Sequence, residues 1–169
     1  ELGDDYIDLG DLSSPSLAIG DNTVFSGLGD DSVFAGDGNN SIFSGLGDDT
    51  IEVGDGNNTI IAGDDVVLLS FTDDDSVSAG DGNNSIFSGL GDDTIDAGDG
   101  NNTIISGFGQ DSIEVGDGNN TIISGSGKDT ITLGDGNNFI DSGLDADSIT
   151  AGDGNNLIIS GSGDDTIEV

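Results

Sequence analysis

Cysteine and histidine are both absent from this chain of 169 residues. Without cysteine, neither a disulfide nor a thiolate metal site can form. Without histidine, the chain lacks the commonest general base and the preferred ligand of transition metals. Arginine is missing too, so no guanidinium can clamp an oxyanion or a phosphate. One lysine, Lys128, is the entire basic complement, and Pro15 is the only proline. No apolar run approaches the ~20 residues that a membrane span requires, and no signal peptide opens the chain. The sequence starts and stops inside a repeat and is read as a fragment or a mature piece, so addressing signals could lie outside it.

What the chain does contain is acid and glycine. Aspartate and glutamate total 35, giving a formal charge of −34. Such a surface repels nucleic-acid phosphates and anionic lipid, so neither nucleic-acid binding nor membrane insertion is expected. Hydrophobic residues reach only 32%, and 31 glycines add chain entropy that folding must overcome. That composition borders on disorder, so something besides apolar burial must help the chain fold. Carboxylates, hydroxyls and carbonyls are hard oxygen ligands, suited to calcium.

A nine-residue repeat sets the architecture. Glycines recur at Gly80, Gly89, Gly98, Gly107, Gly116, Gly125, Gly134, Gly143, Gly152 and Gly161, and earlier at Gly27, Gly36, Gly45, Gly54 and Gly63. Each unit reads G-x-G-x-(D/N)-(T/S)-(I/V)-x-small, with slots numbered one to nine. Slot seven is Ile or Val from Ile7 and Val24 to Ile158 and Ile167, which marks a buried stack. Slot five alternates strictly. It is Asp at 5, 31, 49, 75, 93, 111, 129, 147 and 165, and Asn at 22, 40, 58, 84, 102, 120, 138 and 156. The true period is therefore 18 residues, with Asp turns stacked on one edge of a coil and Asn turns on the other. Asp5 to Asn22 and Asn58 to Asp75 are wider than nine residues. Each gap keeps the alternation only if it holds one repeat plus eight extra residues. Loop insertions are thus expected near 10–17, where Pro15 suits a loop, and near 63–70, including the apolar Val66 to Leu69.

Alternation of apolar and polar residues over slots six to nine predicts a short strand, and the glycine-rich slots one to five predict a tight turn needing positive φ. The expected fold over 1–169 is all-β: one right-handed parallel β-roll, or β-solenoid, of about eight to nine coils stacked at the ~4.8 Å strand spacing. No segment keeps a 3.6-residue apolar period, so helices are not expected.

Stretches such as GLGDDTIEV (45–53) and GSGDDTIEV (161–169) resemble the RTX (repeats-in-toxin) nonapeptide family, whose calcium-binding motif runs G-G-x-G-x-D-x-U-x. The match starts at the second glycine; slot nine replaces the first with Ser, Ala, Val or Leu. The resemblance implies several calcium ions between successive turns on one edge. It implies as ligands Asp5, Asp31, Asp49, Asp75, Asp93, Asp111, Asp129, Asp147 and Asp165. It adds backbone carbonyls near Gly27, Gly29, Gly45, Gly47, Gly89, Gly91, Gly107, Gly109, Gly125, Gly127, Gly161 and Gly163. Elementary electrostatics agrees: carboxylates about 5 Å apart repel by roughly 1 kcal/mol in water and about 3 kcal/mol at an effective dielectric of 20. A divalent cation converts that repulsion into a cross-link. Asp73 and Asp145 stand where the motif has its slot-three glycine, which puts those two turns in doubt.

The Asn edge departs from the motif, and two alternatives stay open there. Asn40, Asn58, Asn84, Asn102, Asn120, Asn138 and Asn156 form an amide ladder without metal, or they form a weaker calcium row. Slot eight points outward. After Asp turns it is polar, apart from Phe34. After Asn turns it carries Phe25, Phe43, Ile61, Phe87, Ile105, Ile123, Asp141 and Ile159, which apart from Asp141 form an apolar ladder of very roughly 300–400 Å² and a candidate surface for self-association or for packing on neighbouring domains.

Three functions are compatible with these features. The first is a calcium-dependent extracellular or cell-surface structural module that assembles into filaments, surface layers or adhesive contacts. The second is the secretion and folding module of a larger RTX-type toxin or exoenzyme. The third is binding to ice or crystal surfaces, which the mixing of Ile and Phe with Thr columns weakens. No cleft-forming insertion or unique residue constellation breaks the repeat, so the chain is not expected to be an enzyme.

Overall fold

The structure is a computed structural model that describes residues 3, 5–8, 20–63 and 73–169. Every element among the described residues is a strand. Strands that follow Asp turns form one nine-stranded parallel sheet, from Tyr6–Asp8 to Thr166–Glu168. Strands that follow Asn turns form an eight-stranded parallel sheet, from Thr23–Leu28 to Leu157–Ile159. The chain crosses from one sheet to the other at each turn, so consecutive strands never pair. This is a parallel β-solenoid with two short strands and two turns per coil.

Register follows the sequence period. Thr103 pairs with Thr121 and Ile104 with Ile122, a step of 18 residues. Two passages use a step of 26: Tyr6 pairs with Ser32, and Thr50 with Ser76. The coil resumes in phase after each. The segments at issue fall mostly outside the described residues: 10–17 entirely, and all of 63–70 except Gly63.

The core is a stack of slot-seven side chains. Ile42, Ile60, Ile86, Ile104, Ile122 and Ile140 from one sheet face Val33, Ile51, Ile95, Ile113, Ile131 and Ile149 from the other, all buried. Each fully buried side chain contributes about 1.5–3 kcal/mol. The stack ends at the last coil, where Ile167 is 47% exposed.

Strands and turns differ between the two edges. Strands after Asp turns span slots six to nine, as in Ser112–Val115, except the first and last, which stop at slot eight. Most strands after Asn turns run on through slots one and two, as in Thr103–Phe108. The turns differ accordingly. On the Asp edge both glycines of the turn have left-handed φ, for example 113° at Gly107 and 135° at Gly109. On the Asn edge only the slot-three glycine does, for example Gly100 at 140°. Gly98 and Gly116, in slot one there, lie outside the left-handed region. They are glycines because a Cβ would collide with the aspartate of the preceding coil, Asp81 or Asp99. Among the described residues no helix is long and apolar enough to cross a membrane.

Candidate metal centre

The two columns of turns are built alike up to one atom. In both, the slot-five side chain points inward and its Oδ1 accepts the backbone N–H of the slot-five residue one coil earlier. Asp31 donates to Asp49 and Asp111 to Asp129, each at 2.9 Å. Asn40 donates to Asn58 at 3.0 Å and Asn102 to Asn120 at 2.9 Å. The slot-five carbonyl meanwhile accepts the slot-six N–H of the next coil, as in Thr50 to Asp31. Asp stacks only on Asp and Asn only on Asn, so the two edges are chemically separate.

The second side-chain atom divides them. Asn Nδ2 is a donor, and on the Asn edge it is satisfied. Asn40 gives hydrogen bonds to the carbonyls of Gly36 (2.9 Å) and Gly38 (3.2 Å) and to Asn58 Oδ1 (3.0 Å). On the Asp edge the corresponding atom, Oδ2, can only accept when the carboxyl is ionised. Asp31, Asp49, Asp75, Asp93, Asp111, Asp129 and Asp147 are each 1–2% exposed, and the Oδ2 of every one is buried without a partner. Among the described residues these seven are all the buried side-chain nitrogens or oxygens in that condition. Native structures leave few such groups, and a run of seven in register calls for a ligand.

Burial of these carboxylates shows in their acidity. Loss of solvent pushes Asp49 and Asp129 up to about 6, Asp93 to about 7 and Asp75 to about 9, and raises Asp111 as well. Backbone N–H donors from the preceding coil oppose the rise, and neighbouring aspartates add to it. Asp75 is the extreme case, with Asp93, Asp49 and Asp73 all adding to the rise. Charge is thus held where only a compensating cation or a proton relieves it.

The residues fit calcium. The unpartnered atoms are hard carboxylate oxygens, and no nitrogen or sulfur ligand competes with them. Among the described residues no three acidic side chains converge on one point, so any ion there draws on consecutive coils and on backbone carbonyls. Some of those carbonyls already accept one bond: Gly125 takes the Leu144 N–H and Gly143 the Ser162 N–H. A carbonyl keeps a second lone pair for a cation.

Comparison with known families settles what this repeat is. The RTX calcium-binding nonapeptide repeat family, whose model describes four copies, matches residues 18–51, 43–67, 70–104, 105–140, 114–149 and 132–167. The chain belongs to the RTX calcium-binding repeat family. No curated protein and no solved structure matches it.

Within this RTX roll, the structure gathers the predicted aspartates from Asp5 to Asp165 into one row. The two turns with Asp in place of glycine stay in the stack. Asp145 takes a left-handed φ of 78°, and Asp73 is buried. Sequence reasoning missed one column. Ser26, Ser44, Ser88, Ser106, Ser124 and Ser142, in the slot nine that precedes each Asp turn, are buried beside the row. Their hydroxyls donate to the slot-nine carbonyl of the next coil, as Ser88 does to Ser106 at 3.1 Å. Ser44, Ser88, Ser106 and Ser124 also lie beside the carboxyls of Asp49, Asp93, Asp111 and Asp129, and a hydroxyl turned to its carboxyl lowers that carboxyl's pKa. A hydroxyl has one proton and cannot serve carbonyl and carboxylate together. The carbonyl satisfies the geometry, so Oδ2 keeps no partner. The signal was legible: slot nine is Ser before Asp turns, with Ala62 the exception, and Ala, Val or Leu before Asn turns.

Proposed function

We propose that this chain is a secreted, calcium-folded structural module with no catalysis of its own, and that it assembles through its exposed apolar ladder. The single observation behind the calcium role is the row of seven buried Oδ2 atoms without partners. Ions set between coils neutralise that row and tie each coil to the next, so calcium binding and folding are one equilibrium. Calcium is scarce inside cells and abundant outside, so such a module is unfolded during export and folds on arrival.

The assembly role is supported by the slot-eight ladder of the eight-stranded sheet. Phe25 is 69% exposed and stacks on Phe43 with ring centroids 4.9 Å apart; Ile105, Ile123 and Ile159 are exposed as well. Leu28 and Phe108, at the ends of strands in the same sheet, are exposed too. The rest of the surface is strongly acidic, so bound calcium also lowers the repulsion between two rolls.

Circular dichroism and sedimentation velocity across a calcium titration test both parts. The expected result is a gain of β-structure with calcium, followed by a concentration-dependent rise in particle size. Replacing Phe25, Phe43 and Phe87 together by serine should abolish the second effect and keep the first. Identical spectra in chelator and in millimolar calcium would overturn the folding role, and a monomer at every concentration would overturn assembly.

A further inference from the structure

We propose that calcium is confined to one edge of the roll, and that on the other edge the asparagine carboxamide NH2 takes the cation's place. The proposal rests on the reading of the Asp row as the calcium row. The family motif carries one aspartate per nine residues, which puts a carboxylate row on both edges. This chain has Asp in alternate repeats and Asn in the rest.

Because Oδ1 does the same work in both rows, accepting the N–H of the previous coil, only the remaining atom distinguishes them. On the Asn edge that atom brings its own positive hydrogens to oxygens that a cation would otherwise collect. Asn102 Nδ2 donates to the carbonyls of Gly98 (3.1 Å) and Gly100 (3.4 Å) and to Asn120 Oδ1 (3.2 Å). Asn58 repeats the pattern with Gly54, Gly56 and Asn84. An ion entering there meets N–H hydrogens and must break these bonds without gaining any charge in return. Turning the carboxamide over does not help, because Oδ1 would leave the N–H of the preceding coil and NH2 would face it.

The backbone carries the same distinction. Slot-one glycines of the Asn edge, Gly54 and Gly98 among them, stay out of the left-handed region, and their carbonyls point at the asparagine. Their Asp-edge counterparts Gly89 and Gly107 adopt φ 113°. The acids nearest the Asn edge, such as Asp99 and Asp117 in slot two, are exposed, and their Oδ1 atoms accept backbone N–H groups of the following coil. They offer a diffuse attraction to cations, screened by salt.

Native mass spectrometry of the calcium-loaded chain tests this by counting ions. The Asp row has eight inter-coil steps, and the expected saturation is no more than one ion per step. A count near fifteen, one for every step on both edges, would overturn the proposal. In a second arm, Asn102→Asp with Asn120→Asp should add at least one tightly held ion, and Asp111→Asn with Asp129→Asn should remove at least one. If the first pair adds none, the amides are not what keeps calcium out, and the proposal fails. If the second pair removes none, or the unmodified chain binds no calcium, the reading of the Asp row falls first and takes this one with it.

Discussion

Ser88 lies against the Asp93 carboxyl, whereas one coil earlier Ala62 occupies the same place and leaves Asp75 without a hydroxyl. Burial raises both carboxyls and Asp75 the more, to about 9 against about 7 for Asp93, and the missing hydroxyl widens the difference. Asp73, present only beside Asp75, adds to the gap. The break in the serine column sits at the coil that resumes after a step of 26 residues.

Ala62→Ser should mend that break. Ala62 is fully buried and its carbonyl already accepts the Ser44 hydroxyl at 2.9 Å. The added oxygen is small, and its hydroxyl can turn to the Asp75 carboxyl. Circular dichroism in chelator, followed upward from low pH, should show the unfolding midpoint moving to higher pH, because a lower value for Asp75 leaves less proton-linked stability to lose. An unchanged midpoint would assign the difference to burial and Asp73.

The pH dependence should change sign with calcium. Folded-state values of about 6 to 9 lie above the unfolded value of 3.8. The metal-free fold therefore binds more protons than the unfolded chain over that interval. Its stability is fully present below about 3.8 and is lost as pH rises toward 9. In excess calcium the bound form needs ionised carboxylates, so stability should instead fall as pH drops through 6. Thermal melts at pH 5 and pH 8.5, with chelator and with calcium, check the crossing.

Asp73 and Asp145 show that an Asp-edge turn can carry a side chain in slot three, but a glycine packed on the coil before it should resist one. Gly109 has φ 135°, and a Cβ there would overlap the Gly91 carbonyl. Gly109→Ala should cost about 2–3 kcal/mol from backbone strain alone. Gly20 has open space around its Cβ position and lies outside the left-handed region, so Gly20→Ala should be near neutral. Calcium-loaded denaturation midpoints compare the two.

Position along the stack should grade the core. Ile113→Ala, in a fully buried column, should cost about 2–5 kcal/mol. Ile167→Ala removes a side chain already 47% exposed and should cost far less. Urea unfolding of the calcium-loaded chain provides the measurement.

The solenoid was legible because each of its requirements repeats. Slot seven gave the core from Val24 to Ile149, and the Asp/Asn alternation separated the two edges. The turns were less legible. Gly98 and Gly107 both open a repeat, yet only Gly107 is left-handed. The Gly98 carbonyl accepts a hydrogen bond from the Asn102 Nδ2 of its own turn, a contact that an ionised aspartate cannot give. The serine column was visible as a composition bias at slot nine. Its place beside the carboxylates appears only once both sheets are closed.

Sequence alone determined the period, the phase, the buried column and the two unlike edges, because these follow from local alternation repeated every nine or 18 residues. Tertiary structure alone decided which atoms are left wanting: that the Asn Nδ2 groups are satisfied and the Asp Oδ2 atoms are not. The reason is distance along the chain. Each of those atoms is satisfied or orphaned partly by a neighbour 18 or 26 residues away, and that neighbour arrives only when the coils stack.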